Sequence, residues 1–128
     1  MTTFFIADDT EGKLQMLKKL VEQSGIATTI LEARTSEEAK AVIDSNAIDA
    51  AFIDYEIPSE NGPAIIAHLK SIQPEARIAL VSACDSPVYH ENAHNAGAEA
   101  CLCTSYAEDQ VVDSLLSILE KWKLELEG

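Results

Sequence analysis

Five short apolar runs, at residues 3–7, 28–31, 50–53, 78–81 and 100–103, punctuate this chain, and each is nearly unbroken in hydrophobicity. A strand with one wet face alternates apolar with polar residues. Unbroken runs of this length belong instead to strands covered on both faces, as in parallel sheets. Helical patterns fill the gaps between them. Leu14, Leu17, Leu20 and Val21 share one helical face ahead of Gly25, a residue suited to a C-terminal cap. Thr35 and Glu38 form a capping box before Ala39, Val42 and Ile43. Ile65, Ile66 and Leu69 follow Gly62-Pro63, and Pro74 ends that third helix. Pro87 opens a fourth, which Gly97 closes. Ser105 and Glu108 are expected to cap the fifth, which carries Val112, Leu115, Leu116 and Leu119. Strand and helix therefore alternate five times, which predicts a single α/β domain built on an open, doubly wound parallel sheet.

In such sheets the reactive site lies beyond the carboxyl ends of the strands. The first run delivers Asp8 and Asp9 there, the third Asp54, the fourth Ser82 and the fifth Thr104. Carboxylates at the end of buried strands are costly unless a cation meets them. Magnesium fits, because it takes oxygen ligands and combines a few carboxylates with waters and a phosphate. A carboxylate beside such an ion can act as nucleophile towards a phosphoryl group.

The segments FFIADD, FIDYEIPSENG, LVSA and AGAEACL, in this order and spacing, resemble the response-regulator receiver domain of two-component signalling. The resemblance covers essentially the whole chain, residues 1–128, with those after about 120 open to reading as a linker or a non-native remnant. It implies the flavodoxin-like strand order 2-1-3-4-5 with five helices. It also implies phosphorylation of Asp54 by a histidine kinase or phosphotransfer protein. Asp8, Asp9, Asp54 and the backbone carbonyl of Glu56 would hold Mg²⁺, and Ser82 would bond the phosphoryl oxygens. Such a module is not an enzyme beyond autocatalytic transfer to, and hydrolysis from, its own Asp54. Its switching face would be the fourth helix, fifth strand and fifth helix, where an output domain, an effector or a second copy of the chain would dock.

The pattern departs from the family at the fifth strand. Thr104 and Ser105 stand where the family has lysine and proline, and Cys101 stands at the position of its aromatic switch residue. The Thr104–Ser105 bond is therefore expected to be trans, since a cis bond without proline costs about 3–4 kcal/mol. Losing the lysine leaves the metal as the one positive group the site retains. Glu56 is expected as a fourth carboxylate, and Lys13, one turn into the first helix, as either a solvated lysine or a partner for Glu56. A degenerate receiver that signals by binding alone is the alternative.

Other chemistries are weaker. His90 and His94, in HENAH, match a zinc-protease pattern but have no third ligand in view. Ser82 lacks a Gly-x-Ser-x-Gly elbow, and the acids of DDTEGK would repel a flavin phosphate. A net charge of −13 argues against direct binding of nucleic acid and favours cations or basic partners. No apolar run is long enough to span a membrane, and the N-terminus lacks a basic secretory region, so the expected location is cytoplasmic. Cys84, Cys101 and Cys103 are expected as reduced thiols, the last two as buried small hydrophobes.

Overall fold

A computed structural model describes residues 2–26 and 29–127. It contains β1 (Thr3–Ala7), α1 (Glu11–Ser24), β2 (Thr29–Ala33), α2 (Ser36–Ser45), β3 (Ala50–Ile53), α3 (Gly62–Ile72), β4 (Arg77–Ser82), α4 (Pro87–Ala96), β5 (Ala100–Cys103) and α5 (Glu108–Glu127). The five strands form one parallel sheet in the order β2-β1-β3-β4-β5, the flavodoxin-like arrangement. Thr28, expected to open β2, lies outside the described residues.

Because side chains alternate across a strand, each strand feeds two cores. Phe4, Ile6, Phe52, Ala79 and Val81 pack under α1 and α5 with Leu14, Leu17, Leu115 and Trp122. Phe5, Ala7, Ile53, Ile78 and Leu80 pack under α2, α3 and α4 with Ile43, Ile65, Ile66 and Leu69. The three central strands are thus buried on both faces, as their unbroken hydrophobicity requires. The outermost strand β5 is only half-buried throughout, because an edge strand lacks a neighbour on one side.

The helix ends follow the sequence with one exception. Gly25 caps α1 in the left-handed region at φ 73°, and the Thr35 hydroxyl accepts from the Glu38 N–H. Ser86 caps α4, with Pro87 in its first turn. Ser105, however, does not cap α5. That helix starts at Glu108, and the Ala107 carbonyl accepts its first bond, from the Val111 N–H. Ser105 turns its hydroxyl instead to Cys103 Sγ at 2.9 Å.

Two other expectations need correction. Cys101 and Cys103 are half-buried rather than buried, and two residues apart on β5 they share a face; all three cysteines are free thiols. Burial raises the Cys101 thiol to about 11. The core-facing pattern of α5 also runs further than its leucines suggest, since Trp122 is fully buried against Phe4 and Phe52. There is no cis peptide bond among the described residues, so Thr104–Ser105 is trans. None of their helices is long and apolar enough to cross a membrane.

Candidate functional site

The parallel ladder continues one residue past the strand ends, and this places the acids. The Asp8 N–H donates to the Ala33 carbonyl of β2 at 3.0 Å, and the Asp54 N–H to the Ala7 carbonyl of β1 at 2.9 Å. Both backbones are thus fixed side by side at the carboxyl edge. Oxygens of Asp8, Asp9 and Asp54 all come within 4.8 Å of one another, the only such group of metal-binding side chains among the described residues. Asp8 is fully buried, Asp54 nearly so, and Asp9 is exposed.

The orphan oxygen of Asp8 tests whether this corner suits a cation. Oδ1 accepts from the Thr10 N–H at 2.9 Å. Oδ2 is buried and accepts no hydrogen bond; the Lys13 ammonium lies 3.1 Å away in a charge contact poorly aligned for one. A buried carboxylate oxygen with no hydrogen bond and only a charge contact, beside two further carboxylates, is a donor set suited to a hard divalent ion.

Lys13 is where the site departs most from its sequence reading. It neither waves in solvent nor pairs with Glu56. Its ammonium enters the cluster, 3.0 Å from Asp54 Oδ1 and 2.5 Å from the Val81 carbonyl. The metal is therefore not the only positive group available. Glu56 in turn faces away: its Oε1 accepts from the Tyr89 hydroxyl at 2.8 Å, and its carboxylate stands outside the cluster. The site has three carboxylates and an ammonium, not four carboxylates. Burial nevertheless pushes the Asp54 carboxyl above its usual range, with Asp8 adding to the rise and Lys13 opposing it.

A cleft of about 420 Å³ opens over these groups, lined by Asp9, Thr10, Lys13, Asp54, Glu56 and Ser82, among others. Ser82 Oγ accepts from the Cys84 N–H, which leaves its proton for an acceptor in the cleft. Thr104 does not reach in. Its N–H and hydroxyl both point to the Ser82 carbonyl, at 2.8 and 3.4 Å.

The zinc alternative finds no third ligand here: among the described residues, His90 and His94 belong to no group of three metal-binding side chains. His90 Nε2 is taken by Asp85 Oδ1 at 2.6 Å, and the same Asp85 accepts from the Tyr106 hydroxyl. His68 pairs with Asp44.

Against protein-family models, the response regulator receiver domain matches residues 4–116. The chain belongs to that family. Among curated proteins, this receiver domain is 28% identical over 119 residues to the transcriptional regulatory protein CitT of Bacillus subtilis, covering 93% of this chain and 53% of that protein. It spans about half the length of the curated relatives it matches. Among solved structures, the BeF₃-activated DrrB receiver domain superposes with a TM-score of 0.83 at 19% identity, covering 100% of this chain and 99% of that one. A response regulator from Burkholderia pseudomallei, solved with a phosphorylated aspartic acid, a calcium ion and citrate, gives 0.76 at 23% identity, covering 100% and 75%. At these identities the likeness shows the fold; the chemistry rests on the residues above.

Sequence reasoning missed a second feature. The Tyr55 ring, next to Asp54, stacks on Tyr89 of α4 with centroids 3.5 Å apart and planes 4° from parallel. Asn92 of α4 donates to the Tyr55 hydroxyl at 2.9 Å, and the bond to Glu56 holds the Tyr89 hydroxyl up at about 12. Two tyrosines 34 positions apart carry no periodic signal; only the fold brings them together.

Proposed function

We propose that this receiver domain accepts a phosphoryl group on Asp54, with Mg²⁺ held by Asp8, Asp9, Asp54 and the Glu56 backbone carbonyl. The observation that carries the reading is the buried Oδ2 of Asp8, which accepts no hydrogen bond, within a three-carboxylate corner. Asp54 Oδ1 already accepts from Lys13 and from the Tyr55 N–H, which leaves Oδ2 for attack. With a phosphohistidine donor, the Oδ2–P bond forms as the P–N bond breaks, and the histidine nitrogen keeps the electron pair. Ser82 then donates its hydroxyl to a phosphoryl oxygen. When bound, magnesium offsets the negative charge gathered on those oxygens.

The donor is a histidine kinase or phosphotransfer protein, and the cell compartment is the cytoplasm. The receiver passes the change to an output domain or effector through α4, β5 and α5. The curated relative CitT is a transcriptional regulatory protein, which supports an output of that kind. Tyr55 and Tyr89 supply a direct mechanical link from the residue after Asp54 to α4, and so do the work expected of an aromatic residue at the Cys101 position.

Incubation with Mg²⁺ and acetyl phosphate, followed by intact mass, is expected to add one phosphoryl group to the wild type and none to Asp54→Asn. No gain in the wild type, with Mg²⁺ still bound, would favour a module that acts by binding alone.

A further inference from the structure

The geometry points to Lys13 as a tethered cation that holds the divalent ion's place in the ion-free protein and yields it when the ion arrives. This rests on the reading that the acidic corner binds a divalent ion.

Lys13 stands at the third position of α1, where the helix dipole disfavours a positive charge. Its side chain is nonetheless only 13% exposed, laid across the site rather than out into water. The ammonium lies 3.1 Å from Asp8 Oδ2 and 3.0 Å from Asp54 Oδ1, with the Val81 carbonyl as a third oxygen neighbour. The first two are oxygens a metal bridging Asp8 and Asp54 would take. An ammonium that close to both leaves no room for a divalent ion on the same oxygens. Two buried carboxylates without it would repel each other uncompensated. Binding of the ion must therefore break two charge contacts, and the four-carbon stem lets the ammonium retreat into the cleft it lines.

The consequence is opposite in sign to that of an ordinary structural lysine. Lys13→Gln keeps a donor for the Val81 carbonyl but removes the competing charge. In calorimetric Mg²⁺ titrations, Lys13→Gln is expected to bind about ten- to a hundredfold more tightly than the wild type. The ion-free variant is expected to melt about 3–6 °C lower. Lys18→Gln makes the same change in net charge on the same helix. Lys18 pairs with Glu32, away from the cluster, and its loss should leave the Mg²⁺ affinity within about twofold.

Equal or weaker Mg²⁺ binding by Lys13→Gln than by the wild type would overturn the inference. So would an equal tightening in Lys18→Gln, which would make the effect one of net charge. If neither the wild type nor Lys13→Gln binds Mg²⁺, the metal reading itself fails and takes this inference with it.

Discussion

Gly62→Ala is expected to destabilise the protein by about 3–5 kcal/mol and to dismantle the acidic corner with it. A Cβ at this position would lie 2.1 Å from the Asp54 carbonyl oxygen, 2.9 Å from its carbon and 3.0 Å from Tyr55 Cα. All three are backbone atoms, so no rotamer change relieves the overlap. The same approach lets the Gly62 N–H donate to the Tyr55 carbonyl at 2.6 Å, seating the start of α3 on Asp54 and Tyr55. Either α3 withdraws or the Asp54 backbone shifts, and with it the bond from its N–H to Ala7. Denaturant melts should show the loss, and Mg²⁺ affinity of the folded fraction should weaken in parallel. Gly12→Ala supplies the contrast. Nothing lies within 4 Å of a Cβ there, and the residue sits inside α1. Alanine should stabilise the protein by about 0.5–1 kcal/mol through the greater cost of ordering glycine in a helix.

Trp122→Ala should cost a similar amount, about 3–5 kcal/mol, with a different signature. The indole is fully buried, 5.7 Å from the Phe52 ring and 6.1 Å from Phe4, so truncation leaves a large cavity between α5 and the sheet. It lies towards the amino edge of the strands, where Arg77, the first residue of β4, pairs with Glu125. The acids stand at the other edge. Stability should fall while the Mg²⁺ affinity of the folded fraction stays at the wild-type value. Trp122→Phe should cost clearly less than alanine. It keeps an aromatic ring in place and removes an indole N–H that is buried without an acceptor. Urea melts of the two variants, each paired with a Mg²⁺ titration, separate this effect from that of Gly62.

The backbone plan was open to reading because burial writes itself into composition. Strands covered on both faces must be apolar where they are covered: β3 is apolar throughout, and β1 and β4 are apolar between their end residues Thr3, Arg77 and Ser82. The edge strands obey the same rule only in part, which is why β5 read as more buried than it is. Asp8, Asp9 and Asp54 could be brought together on paper because Asp8 and Asp54 directly follow strands, with Asp9 one residue further, and strand ends in a parallel sheet share an edge. Side chains that cross between elements were harder. Lys13 and Glu56 are both near the site in sequence logic, yet the carboxylate turns to Tyr89 and the ammonium takes its place inside. One signal was available: a lysine in the first turn of a helix opposes the dipole and calls for a carboxylate nearby. Ser105 failed as a cap because four residues, 104–107, separate β5 from α5, and capping-box spacing alone does not say where a helix begins.

The account stands on one shared ion. Crystals soaked in Mn²⁺, as an anomalous scatterer in place of magnesium, are expected to show a single strong peak within ligand distance of Asp8, Asp9 and Asp54, with the Lys13 ammonium withdrawn from Asp8 Oδ2. A peak elsewhere, or full soaking with Lys13 still between the two carboxylates and no ion beside them, would contradict it.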